Sequence, residues 1–191
     1  MRNAIIVHGM PSREEFYDPG LPPPSSQHWL PWLAKQLLIR DIPAARPEMP
    51  RAYAPDYPTW QREFERYDIT PHTMLVGHSC GGGFLIRWLS EHPSVRVGRV
   101  VLVAPWLDHD SDRAPGFFAF TLDPGLAART DGLVVFNSDN DGEGVQRSAH
   151  LIRDSVPGVE YREFHGYGHF CAGDLGGPQF PDLLVALLDQ R

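Results

Sequence analysis

Short apolar runs alternate along the chain with stretches of helical periodicity, and that alternation carries the architecture. Four runs, at residues 4–7, 73–76, 99–104 and 133–136, are rich in Val, Ile and Leu and lack the polar alternation of a half-solvated strand. A fifth, weaker run covers 159–164. Between them lie helical patterns at 29–39, 59–67, 82–90, 143–155 and 181–190, the last opening on Pro181, a residue well suited to the first helical position. Strands buried on both faces need crossover helices to connect them. The pattern therefore predicts an α/β fold, a three-layer parallel sheet flanked by helices, built as one domain over 1–191.

Composition narrows this picture. At 191 residues, with 42% hydrophobic and 21% charged, the chain has the size of one ordinary domain. Its 18 glycines and 19 prolines stay below the density that marks disorder, and twelve of the prolines lie at or before Pro71. The net charge is −7, and the basic residues, all Arg except Lys35, are scattered, which argues against a nucleic-acid partner. The apolar run after Arg2 is too short for a signal-peptide core, and no stretch approaches a membrane span, so a soluble cytoplasmic protein is expected. Cys80 and Cys171 are far apart and outside any C-x-x-C, so neither a disulfide framework nor a metal site is expected.

In parallel sheets, ligands bind beyond the carboxyl ends of the strands, so chemistry should follow each apolar run. After the second run stands Gly77-His78-Ser79-Cys80-Gly81, a G-x-S-x-G pattern. Such a turn exposes a serine hydroxyl at a tight strand-to-helix corner, with small residues where backbones nearly touch. The pattern alone is a weak signal, but here a strand pattern leads in and a helical pattern leads out. A glycine-rich turn without chemistry, or a phosphate cradle on Gly81-Gly82-Gly83, is the plainer alternative, although no Lys follows as a P-loop requires.

A serine nucleophile needs a histidine base oriented by a carboxylate, in this fold in the chain order serine, acid, histidine. After the fourth run come Asp139 and Asp141, and after the fifth His165 and His169. Asp141 is preferred because the acid must reach across the strand tops from a loop, whereas Asp139 is placed to cap the turn. His169 lies beyond two glycines that let its loop fold back, whereas His165 directly follows the strand. Asp108 and Asp110 read as a solvated loop. The oxyanion donors would be the backbone N–H groups of Cys80 and Met10. His8 reads as a structural hydrogen-bonding residue, His78 as a packing residue pointing away from the site, and His28 as one of several surface or loop histidines.

These residues resemble the α/β-hydrolase superfamily, and within it the small serine hydrolases grouped with retinoblastoma-binding protein nine and its bacterial relatives. The likeness rests on Ile5-Ile6-Val7-His8-Gly9, Ser25-Ser26-Gln27-His28-Trp29-Leu30-Pro31-Trp32-Leu33, the Ser79 turn, Phe136-Asn137-Ser138-Asp139-Asn140-Asp141 and Gly168-His169-Phe170, in order along nearly the whole chain. It implies a compact hydrolase without a cap domain or cofactor, with Ser79, Asp141 and His169 as the triad. Where family members often carry Asp-Pro at the acid, this chain has Asp141-Gly142-Glu143-Gly144, which predicts a more flexible loop. Residues 105–130, with Phe117, Phe118 and Phe120, could form a partial lid or finish the core. Trp29, Trp32, Trp106 and Phe170 are candidate walls of an acyl pocket. The reading favoured here is an esterase acting on a small acyl ester, with amide cleavage the lesser option. The alternative is a non-catalytic protein-binding module on a hydrolase scaffold.

Overall fold

A computed structural model describes residues 2–189. Its strands are β1 (Asn3–Val7), β2 (Ala44–Ala45), β3 (Thr73–His78), β4 (Val100–Val103), β5 (Leu133–Ser138) and β6 (Glu160–Phe164). Its helices are α1 (Arg13–Tyr17), α2 (Leu30–Leu38), α3 (Tyr57–Phe64), α4 (Cys80–Glu91), α5 (Glu143–Ser155) and α6 (Pro181–Leu188). The expected C-terminal helix ran to Gln190, which lies outside the described residues. All six strands are parallel, in the order β2-β1-β3-β4-β5-β6.

The continuous apolar character of the strands follows from cover on both faces. Ile5, Val7, Leu75, Val100, Leu102, Leu133 and Val135 face one core layer, against Trp60 and Phe64 of α3, Phe84 and Trp88 of α4 and Ile152 of α5. The alternate residues Ala4, Ile6, Met74, Val76, Val101, Val103, Val134 and Phe136 face the other, against Leu33 and Leu37 of α2 and Leu183 and Leu187 of α6. The edges are blunted differently. β2 is only two residues long, and β6 carries Glu160, Arg162 and Glu163 on a largely open strand.

Two elements were not expected. β2 is Ala-Ala and offers no apolar run. α1 is only five residues long, too short for a periodic pattern, but its capping box was legible: Ser12 Oγ accepts the Glu15 N–H at 3.1 Å while Glu15 Oε2 accepts the Ser12 N–H at 2.7 Å. Residues 105–130 finish the core. Phe117 is buried against Tyr57, Trp60 and Phe84, and Phe118, Phe120 and Leu122 pack on the same layer. Asp108, expected on the surface, is buried and its Oδ2 accepts the N–H groups of Arg113 and Ala114 at 3.1 and 2.6 Å, which ties this segment together. No helix among the described residues is long and apolar enough to cross a membrane.

Candidate active site

The strand order reverses direction between β1 and β3, and a crevice opens above their carboxyl ends. Ser79 stands there, between β3 and α4, with φ 53° and ψ −120°. A non-glycine residue in that conformation costs about 1–3 kcal/mol and persists only where the surroundings enforce it. Here they do. The Ser79 N–H donates to Val103 O at 2.9 Å, and its carbonyl accepts from Gly83 and Trp106 N–H, both at 3.1 Å. The glycines of the pattern are explained by close approach. A Cβ on Gly77 would lie 2.6 Å from Gly82 Cα, and one on Gly81 would collide with the Val7 and His8 carbonyls. Gly82 and Gly83 are enclosed too, by Pro105 and by Trp106 with Phe118.

The two acid and base candidates sort themselves into separate pairs. Asp141 Oδ2 accepts from His169 Nδ1 at 2.8 Å, with Asp141 side-chain exposure of 6% against 32% for His169. Asp139 Oδ2 accepts from His165 Nδ1, also at 2.8 Å, but at 44% and 81% exposure. Burial by the protein and the Gly142 N–H, which donates to Asp141 Oδ1 at 2.6 Å, make the first pair the enclosed one. Its loop is also better tied than its glycines suggested. Ser138 Oγ accepts the Tyr167 N–H at 2.9 Å, Asp139 Oδ1 the Gly166 N–H at 2.9 Å and Asn140 Oδ1 the Gly168 N–H at 2.8 Å. Four successive side chains thus hold the His169 loop. From beyond it, Asp174 Oδ2 accepts the N–H groups of His169 and Cys171, each at 3.0 Å.

Ser79 and His169 line one cavity of about 230 Å³, together with Gly9, Met10, Pro11 and Leu30. Gly9 lies against the serine, since a Cβ there would sit 3.2 Å from Ser79 Cβ. A larger hollow of about 670 Å³ lies at the opposite, amino ends of the strands among Arg2, Met74, Arg99 and Leu187, and holds none of the candidate residues. The expected aromatic walls belong elsewhere. Trp29 and Phe170 are fully buried in the core beneath the site, and Trp32 and Trp106 pack on the core layers. Met10, Pro11, Pro24 and Leu30 form the apolar wall instead.

Three further histidines surround the site. His8 is buried, and burial holds it below the ordinary histidine range. It is a neutral ring that donates from Nδ1 to Gly9 O at 2.7 Å and accepts the Met49 N–H on Nε2 at 2.9 Å, in keeping with a structural role. Glu48 lies 3.4 Å from that nitrogen but meets no charge there. His78, expected to point away from the site, does not. It lines the cavity, its ring centre is 5.0 Å from that of His169, and its Nε2–H donates to the His169 carbonyl at 2.9 Å. Burial keeps it neutral. His28, read as a surface or loop residue, also lines the cavity. Its place just ahead of the apolar helix α2, whose N-terminal end approaches the His169 loop, was not visible in periodicity.

A parallel sheet crossed by helices, with a strained serine at the switch point and a histidine–aspartate pair on the following loops, defines an α/β hydrolase. The sequence matches the serine hydrolase family over residues 17–184, and the chain belongs to that family. It is 37% identical over 84 residues to the putative hydrolase YdeN of Bacillus subtilis, a match spanning 42% of this chain and 44% of that protein. The crystal structure of the B. subtilis ydeN gene product superposes with a TM-score of 0.77 at 23% identity, covering 98% of this chain and 97% of that one. A bromoperoxidase from Bacillus anthracis gives 0.63 at 16% identity over 98% and 92%. An alpha-beta serine hydrolase homologue from Coxiella burnetii gives 0.59 at 16% over 98% and 85%. At such identities the structural likeness speaks for the fold alone. The family membership makes the protein a hydrolase.

Proposed function

We propose that the protein is a carboxylesterase that cleaves short acyl esters through an acyl-enzyme on Ser79. The observation that carries this reading is the enclosed His169–Asp141 pair opening on the same cavity as Ser79. With Nδ1 held by Asp141, His169 has Nε2 left to face the serine. Ser79 Oγ attacks the ester carbonyl carbon as its proton passes to that nitrogen, and Asp141 stabilises the imidazolium. The carbonyl oxygen becomes an anion, met by the backbone N–H of Cys80, in the first turn of α4 where no intrahelical acceptor exists, and by that of Met10. The C–O bond to the alcohol then breaks, and His169 returns the proton to the departing oxygen. Water, deprotonated by the same histidine, releases the acid and restores Ser79.

A cavity of about 230 Å³ is smaller than typical ligand sites, which run from about 300 Å³ upward, and so favours short acyl chains. Hydrolysis of p-nitrophenyl esters of rising chain length tests this. The expected result is a kcat/KM that is highest from acetate to butanoate, falls by about tenfold or more at octanoate and disappears in Ser79→Ala. Activity retained in Ser79→Ala would contradict the reading, as would a folded native protein with no activity on any ester, which is the behaviour of a binding module.

A further inference from the structure

Of the histidines that line the cavity, His169 serves the proposed mechanism, His8 holds Gly9 and Met49, and His78 is committed to the His169 carbonyl. His28 retains an unused nitrogen. It precedes Trp29, the cap of α2, with φ 52°, a left-handed conformation that histidine tolerates better than most side chains. The backbone there is anchored, because the buried Trp29 indole N–H donates to Phe170 O at 3.1 Å. The ring is anchored too. His28 Nδ1 accepts the Ala172 N–H at 3.3 Å, and its edge meets the His78 ring with centres 5.7 Å apart.

An Nδ1 that accepts leaves the ring proton on Nε2. Burial and the neighbouring His169 hold His28 below the ordinary histidine range, so this neutral tautomer persists at neutral pH. Its Nε2–H meets no partner among the described residues, in the wall of a cavity that also contains Ser79. The ring sits on the His169 side, since its Nδ1 accepts from Ala172 just beyond the base and its edge meets His78, whose ring meets that of His169. That is the side on which His169 returns its proton to the departing alcohol.

We propose that His28 binds the alcohol half of the substrate, its Nε2–H donating to a second oxygen there, so that the enzyme selects short esters whose alcohol carries an ether, hydroxyl or carbonyl oxygen. This rests on the esterase reading above. Glu15, in the same wall, sets that selection against alcohols bearing a carboxylate.

The test compares 2-methoxyethyl acetate with butyl acetate, which match in length and differ in that oxygen. His28→Gln returns an N–H near the Nε2 position. His28→Asn keeps an acceptor for Ala172 and suits the left-handed backbone but ends short of the cavity, and His28→Phe keeps the ring without the donor. The kcat/KM ratio of the two acetates should fall about fivefold or more in the Asn and Phe variants and recover in Gln. The matching acyl-side pair, p-nitrophenyl methoxyacetate and butanoate, should keep its ratio throughout. An acetate ratio unmoved in Asn and Phe, or a change on the acyl pair instead, overturns the proposal. If the native protein cleaves no ester faster than Ser79→Ala, the esterase reading fails separately, and imidazole NMR of the native protein decides His28. A shift of its Nε2 resonance with 2-methoxyethanol but not butanol then supports the donor, and no difference between them overturns it.

Discussion

Asp139 and Asp141 are two residues apart and chemically identical, yet each serves a different histidine. What separates them is exposure, since water screens the His165 pair while the Asp141 carboxylate is enclosed. Asp141→Ala is expected to lower kcat about a thousandfold or more by freeing the His169 tautomer, and Asp139→Ala by less than about threefold, as steady-state ester kinetics would read. The outer pair has its own signature. Asp139 holds His165 above the ordinary histidine range, and His165 holds Asp139 below the ordinary carboxylate range. The His165 contribution is therefore fully present below the unfolded-state histidine value and lost as pH rises through the raised one, while the Asp139 contribution is lost as pH falls through its lowered value. Melting curves of Asp139→Asn should fall furthest below those of the native protein near pH 5, with the gap narrowing towards pH 9 as the His165 contribution is lost. Equal curves at both would refute the pairing. That Asp141 rather than Asp139 meets His169 was legible from loop reach, but the placement of His28 and His78 on the cavity was not. Both lie at element boundaries where neighbours distant in sequence decide which way a ring turns.

At the scale of elements, the Ser79 turn is where sequence and structure agree most closely, because its glycines are required by backbone contact rather than by loop flexibility. Adding one methyl at Gly81 forces β1 away from α4. Gly81→Ala should cost about 2–3 kcal/mol and lower Tm by several degrees, with activity falling further because the Gly9 loop moves with β1. Residues 105–130 invite the opposite test. As a core segment, Phe117→Ala should cost about 3–5 kcal/mol by calorimetry or denaturant melt and leave kcat/KM for p-nitrophenyl acetate nearly unchanged. A lid would give the reverse, with stability intact and kinetics altered. The elements that escaped the sequence are the ones that periodicity cannot mark: a two-residue strand of alanines and a five-residue helix.

For the molecule as a whole, the doubly covered strands announced the sheet and its parallel sense, since only helices on both faces permit such uninterrupted apolar runs. The same logic directed attention to the strand ends, where Ser79, Asp141 and His169 come together from three separate connections. The fold could not announce what fills the crevice. Its apolar wall is built from Met10, Pro11, Pro24 and Leu30, on loops whose paths depend on tertiary contacts, and the conspicuous aromatics went to the core instead. The early prolines make sense in that light, as Pro11 and Pro24 stiffen the stretch that shapes the site.

The central claim is that Ser79 is a nucleophile activated by His169 and Asp141. Intact-mass and peptide mass spectrometry after treatment with a fluorophosphonate tests it most directly. The expected result is a single adduct on the peptide containing Ser79, absent in Ser79→Ala and formed at least about a hundredfold more slowly in His169→Ala. A folded native protein that acquires no adduct, or one that is labelled equally well without Ser79, would contradict it.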